Sequence, residues 1–178
     1  MNAHQLSPKL DASDDARACY TRFLEEQPTR YHLTLTFTYG VHEKLCITML
    51  NELLKQLNRS ILKGRYRKHD EFIAGMAVKE PTFAKHTFHF HILISDVEMK
   101  LPDRERLTSL LEKKRESVNR MYAGRNNIDK IELQEYYEGN ADRSLEKYLT
   151  KQFERAGLTF QQKMDSFCPL CHSGVSFG

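Results

Sequence analysis

Two histidines separated by one aromatic residue, His89-Phe90-His91, stand inside the run Thr87 to Ile94. In a strand, residues i and i+2 project from the same side. Phe88, Phe90, Ile92 and Ile94 therefore enter a core, while His89 and His91 stand side by side on the opposite face. Imidazoles placed that way can share one divalent cation; the plainer reading is two half-exposed histidines on an amphipathic strand. Glu80 bears on the choice. If the turn over residues 81–86 centres near Ala84 and Lys85, Glu80 pairs across from His89 on the same face. Two histidines and one carboxylate then form a set that leaves coordination positions for water and substrate. The register is not settled by the sequence, because Ile73–Val78 is apolar on both parities and a one-residue slip turns Glu80 away. Further on, Tyr148 and Lys151 share a face at i and i+3. Tyr148 also lies on the apolar stripe of Leu145, Leu149 and Gln152, which is the place of a core tyrosine unless a metal-bearing sheet lies beside it.

The elements that must position these residues are legible from periodicity. Residues 31–39 alternate strictly, with Tyr31, Leu33, Leu35 and Phe37 on one face and His32, Thr34, Thr36 and Thr38 on the other. Ser13 is placed to cap a helix running to about Gln27, which Pro28 ends. Residues 42–62 have helical spacing through Leu45, Met49, Leu53, Leu57 and Ile61, closed by Gly64 and followed by a basic loop at 65–70. Strands are expected at 72–80 and 87–95, then a helix from Pro102 to about Tyr122. A strand over Ile128–Glu135 follows, and a last helix from Asn140 or Asp142 to about Arg155. Apart from the first helix, the order is strand–helix–strand–strand–helix–strand–helix. This is the split βαβ pattern of ferredoxin-like, RRM-like α+β folds. Such a fold has an antiparallel sheet with helices on one face and an open face for the site, here with extra N-terminal and C-terminal helices. The expected organisation is an N-terminal extension with a short helix over 1–28, a main domain over 29–157 and a tail over 158–178.

With 178 residues, 40% of them hydrophobic and 29% charged, the chain suits one soluble domain. Its net charge of +3 is too small to imply a polyanionic partner by itself, but the cations are clustered. Lys55, Arg59, Lys63, Arg65, Arg67 and Lys68 precede the next acid at Asp70, and Lys113, Lys114, Arg115, Arg120 and Arg125 form a second group. Local patches of this kind suit phosphate contacts; a solvated helix face explains them equally well. No apolar run approaches the ~18 residues of a membrane span and no signal-peptide pattern is present. Four cysteines (Cys19, Cys46, Cys168, Cys171) are not a disulfide framework at this length, so a reducing cytoplasmic setting is expected. Cys168-Pro-Leu-Cys171-His172 has half of a zinc-finger spacing, with His4, Cys19 or another protomer as sources of a missing ligand.

Taken together these segments resemble the HUH endonucleases, the single-strand DNA nickases of rolling-circle replication initiators, single-strand transposases and conjugative relaxases. Leu33-Thr-Leu-Thr-Phe37 is similar to their first motif, His89-Phe90-His91 to the histidine–hydrophobe–histidine motif, and Tyr148-Leu-Thr-Lys151 to the nucleophile motif Tyr-x-x-Lys. The resemblance covers about residues 30–155. Relaxases place the tyrosine before the histidines, whereas here it follows them. Gln152, four after the tyrosine, is similar to the transposases, in which that glutamine can be the third metal ligand. Lys151, Glu80 and the first motif favour a replication initiator with a single nucleophilic tyrosine.

The resemblance implies a metal-dependent nick through a covalent 5′-phosphotyrosine, starting rolling-circle replication of a plasmid or phage. Tyr148 would be the nucleophile and Lys151 a second positive charge. Mg²⁺ or Mn²⁺ would be held by His89, His91 and Glu80, with Gln152 as the alternative third ligand. Single-stranded DNA at an origin hairpin would be bound by Lys55, Arg59, Lys63, Arg65, Arg67 and Lys68, with Thr34 and Thr36 beside it. Host replication proteins are the expected partners. No phosphate-binding loop motif is present, so unwinding falls to a separate helicase. A nuclease-dead nucleic-acid-binding module and a histidine-dependent ribonuclease are the competing readings.

Overall fold

The alternation over residues 31–39 becomes an interior strand, Thr29–Phe37, of a five-stranded antiparallel sheet. The computed structural model describes residues 12–26, 28–82, 87–96, 101–122, 127–136, 149–154 and 158–177. Its elements run α1 (Ala12–Glu25), β1 (Thr29–Phe37), α2 (Glu43–Leu62), α3 (Gly64–Lys68), β2 (Gly75–Thr82), β3 (Thr87–Ser95), α4 (Arg104–Met121) and β4 (Ile128–Glu135). A 3-10 turn (Lys151–Glu154), α5 (Phe160–Met164) and β5 (Phe167–Pro169) follow. The strand order is β4-β1-β3-β2-β5, the ferredoxin-like arrangement extended by one edge strand.

One face of the sheet is covered by α2 and α4. Tyr31, Leu33, Leu35 and Phe37 are at most 1% exposed there and meet Met49, Leu50, Leu53 and Leu57 of α2 and Leu107, Leu111 and Val118 of α4. The period-2 and period-3.6 stripes close on one another, which is the burial that drives the fold. α4 begins with Asp103 as its cap, its side chain accepting the Arg106 N–H at 2.9 Å.

The opposite face is divided. Toward β2 and β5 it carries a second apolar cluster of Met76, Val78, Leu93, Leu149, Phe153 and Phe167, against which Tyr20 of α1 packs. Toward β1 and β4 the face presents Thr34, Thr36, Lys130 and Glu132, the open portion on which a site can be built, with His32 buried at its margin.

Several sequence-based boundaries shift. Ser13 lies inside α1 and not at its cap. Lys63, at φ +50, breaks α2, and the expected loop at 65–70 is instead the short helix α3. β2 starts at Gly75 because Asn58 Oδ1 takes the Ile73 N–H at 2.7 Å, holding that residue outside the ladder. The expected last helix falls mostly outside the described residues; its described end is helical at Leu149–Thr150 and tightens to 3-10 at Lys151. Residues 158–177 are an integral part of the sheet and core. β5 pairs with β2, and Asn51 of α2 accepts the Val175 N–H at 2.7 Å and donates to the Val175 carbonyl at 3.0 Å. Gly174 allows this close approach: it has φ +111, and a Cβ there would lie 2.3 Å from Asn51 Oδ1.

Candidate functional site

Register assembles the site. Thr36, His89 and Glu80 form one row across β1, β3 and β2; Thr34, His91 and Val78 form the next. The hydroxyl opposite each imidazole holds it from β1. Thr36 Oγ1 lies 3.1 Å from His89 Nδ1, and Thr34 Oγ1 lies 3.3 Å from His91 Nδ1. The two threonines expected beside DNA thus orient the histidines.

The other edge of His91 faces β2, where its Nε2 stands 3.0 Å from Glu80 Oε2. Lys151 approaches the same carboxylate from the C-terminal segment, its Nζ 2.8 Å from Glu80 Oε1. Burial alone would raise the Glu80 pKa, but hydrogen bonds from His91 and Lys151 overcome it and hold the carboxyl at about 2. Glu80 is therefore an ionised, nearly enclosed anion bridging an imidazole and an ammonium.

His32, on the same face of β1, joins this chain. Its Nε2 lies 3.2 Å from His91 Nδ1, and the two rings stack with centroids 5.4 Å apart at 25°. Burial first, and His91 beside it, push its pKa down to about 4, so it is neutral near pH 7. His32 was not among the sequence-derived site residues. Its parity with Thr34 was the available signal, but a single histidine on a polar strand face says nothing of a diagonal partner on the neighbouring strand.

The segment carrying Lys151 is fastened from both sides. Leu149 and Phe153 insert into the second apolar cluster. Tyr20 packs on Phe153 and Phe167 at centroid distances of 5.6 and 4.6 Å, Thr21 Oγ1 meets Thr150 Oγ1 at 3.1 Å, and Arg17 pairs with Glu154. Tyr148, the residue before Leu149, lies outside the described residues, as does the side chain of Gln152.

The basic residues Lys55, Arg59, Lys63, Arg65, Arg67 and Lys68 lie on α2, α3 and the junction between them, not on the histidine face. Lys55 pairs with Glu52 at 3.6 Å and Arg65 with Glu71 at 3.7 Å. Lys63 and Lys113, one from each cluster, line with Arg106 an open groove of 730 Å³ between α2 and α4. Arg115 tacks α4 to β4 through the Ile128 and Asp129 carbonyls.

At the C-terminal knuckle, Cys168 is buried in β5 and its Sγ accepts the Ser176 N–H at 3.1 Å. The Cys171 thiol donates to the Gly174 carbonyl at 3.1 Å. His172 stacks on Tyr66 with centroids 4.5 Å apart and has Nε2 3.2 Å from the Tyr66 carbonyl. Among the described residues, no three His, Cys, Asp or Glu side chains converge into a ready-made coordination shell, here or on the sheet face. Around Glu80, however, the donors suit a divalent ion in kind. A carboxylate held ionised and already matched to a cation stands against His91, with His89 opposite it in the ladder.

No helix among the described residues is long and apolar enough to cross a membrane. No family model matches the chain. No curated protein matches it. Among solved structures, a crystal structure of a hydrolase from Listeria innocua is similar over 82% of this chain and 81% of its own, at 11% identity and a TM-score of 0.33.

Proposed function

We propose that this chain is a metal-dependent single-strand DNA endonuclease and strand transferase of the HUH type. It nicks through a covalent phosphotyrosine, in the manner of rolling-circle replication initiators. The observation that supports the reading is the meeting of Glu80, His91 and Lys151, from three separate segments, on the face where Thr34 and Thr36 hold the histidines.

In this reading the Tyr148 phenol attacks the scissile phosphorus, the bond to the 3′ oxygen breaks, and that oxygen takes up a proton. The products are a 5′-phosphotyrosine and a free 3′-hydroxyl. The phosphodiester energy is kept, so the same residues rejoin strands in reverse without a nucleotide cofactor. A phenol of pKa ~10 is only a few tenths of a percent ionised near pH 7.5, so nearby positive charge is required. Lys151 provides it from three residues along the same segment, and Glu80 fixes where its ammonium rests. His89, His91 and Glu80 are the residues that would hold Mg²⁺ or Mn²⁺. When bound there, the ion supplies charge that stabilises the phosphoryl oxygens. Lys151 is the residue that would lend positive charge to phosphate or phenolate.

The test is cleavage of single-stranded oligonucleotides with Mn²⁺ and with EDTA. The reading requires metal-dependent cleavage that leaves a free 3′-hydroxyl and a blocked 5′ end. Undiminished cleavage in EDTA would overturn it. One observation favours a second reading: His91 lies between Glu80 and His32, a carboxylate–imidazole–imidazole chain able to move a proton without metal. That arrangement suits a histidine-dependent ribonuclease, which would cut RNA in EDTA and be indifferent to Tyr148. A single-strand transposase, with Gln152 as ligand, differs from the initiator in its DNA target, a mobile-element hairpin end instead of an origin.

A further inference from the structure

We infer that His32 is a positioning residue for His91, and that the two rings exchange tautomers together when a cation is taken at the Nε2 edge of His91. This rests on the metal-dependent reading above.

The argument is one of proton placement. An ionised carboxylate can only accept, so across the 3.0 Å contact His91 Nε2 is the donor to Glu80. In the neutral ring, His91 Nδ1 is then an acceptor, and it faces two groups: His32 Nε2 at 3.2 Å and the Thr34 hydroxyl at 3.3 Å. For Nε2 of His91 to serve as a ligand, its proton must leave and Nδ1 must carry one instead. A proton on Nδ1 needs an acceptor in a place closed to water. His32 is that acceptor. The proton on His32 Nε2 passes to His91 Nδ1, and His32 takes up another at its own Nδ1. The proton released from His91 Nε2 balances the one gained, so neither ring changes its number of protons.

Thr34 alone holds His91 through a freely rotating hydroxyl, which fixes neither tautomer. His32 is only 9% exposed, stacked on the His91 ring and itself 3.4 Å from Thr34 Oγ1. Its acceptor is therefore fixed in direction as well as distance. Partners that set the proton position on a ligating histidine change metal affinity by 10–100-fold when removed.

The experiment is a Mn²⁺ titration of the full chain, read by the electron paramagnetic resonance of free Mn²⁺, on wild type, His32→Phe, His32→Gln and His91→Ala. The expected result is binding lost in His91→Ala, weakened about 10–100-fold in His32→Phe and largely restored in His32→Gln, whose amide can accept. Loss in His91→Ala with wild-type affinity in His32→Phe overturns the role of His32 and leaves the metal site standing. Unchanged affinity in His91→Ala removes the metal reading and this inference with it. If His32→Phe does not fold, wild type suffices: ring-nitrogen NMR should show the His32 proton moving from Nε2 to Nδ1 on saturation with Mg²⁺. A His32 proton that stays on Nε2 contradicts the inference.

Discussion

Glu80 stands opposite His89 in the β2–β3 ladder and accepts a hydrogen bond from His91, one pleat further along the same strand. Its second oxygen holds Lys151. One carboxylate thereby ties together the histidine strand and the segment that follows Tyr148, and the account makes its charge indispensable. Glu80→Gln keeps the shape and removes the charge. Mn²⁺-dependent cleavage should fall by roughly 100-fold or more, since even outer partners of metal ligands cost 10–100-fold. A variant that cleaves at the wild-type rate would show that the carboxylate is merely an anchor for Lys151.

Acid should weaken the fold in two stages. His32 has its pKa lowered to about 4 by burial, so the unfolded chain takes up its proton first, and this contribution is lost as pH falls from about 6.5 to 4. Glu80, held at about 2, contributes stability that is complete above its ordinary 4.5 and is lost as pH falls toward 2. Urea midpoints measured in EDTA between pH 7 and 4.5 should drop less steeply in His32→Gln than in wild type. Parallel profiles would mean that His32 is not held neutral.

The C-terminal segment should matter to stability. Asn51 makes two hydrogen bonds to Val175, and Gly174 sits where a side chain would strike Asn51. Asn51→Ala strands both groups of the Val175 backbone and should cost about 1–3 kcal/mol. Gly174→Ala adds backbone strain of about the same size. Equilibrium urea unfolding checks both; wild-type midpoints would mean the segment is not docked as described.

Clamping by α1 should reach the site through the Lys151 segment. Tyr20 contacts Phe153 and Phe167 on either side of that segment's attachment to the sheet. Tyr20 is half-buried, so Tyr20→Ala should cost about 1–3 kcal/mol of stability. At temperatures where the variant remains folded, cleavage should slow while Mn²⁺ affinity is kept. Unaltered cleavage would detach α1 from catalysis.

Much of this was legible in the residues, and the exceptions have physical causes. The alternation of Tyr31 to Tyr39 gave β1 its faces, and β3 has the bounds that Thr87 to Ser95 suggested. Glu80 falls opposite His89, the register that two-sided apolar residues in β2 left open in the sequence. β5 is hard to read from sequence: it has three residues, ends in Pro169 and pairs at an edge, one of the places a proline is tolerated in a sheet. The Cys168–Cys171 spacing is that of half a metal site, and it carries no local period that marks a strand and turn. The roof over β2 and β5 depends on Tyr20, Phe153 and Phe167 meeting across the chain, and no local period encodes that. His32 had the right parity, but its importance comes entirely from the neighbouring strand.

The most direct measurement is mass spectrometry of the adduct formed with a single-stranded oligonucleotide and Mn²⁺. The account predicts a nucleotide attached through phosphate to the Tyr148 peptide, and no adduct from Tyr148→Phe although that variant still binds the oligonucleotide. Equal adduct formation by the variant, or attachment at another residue, would contradict it.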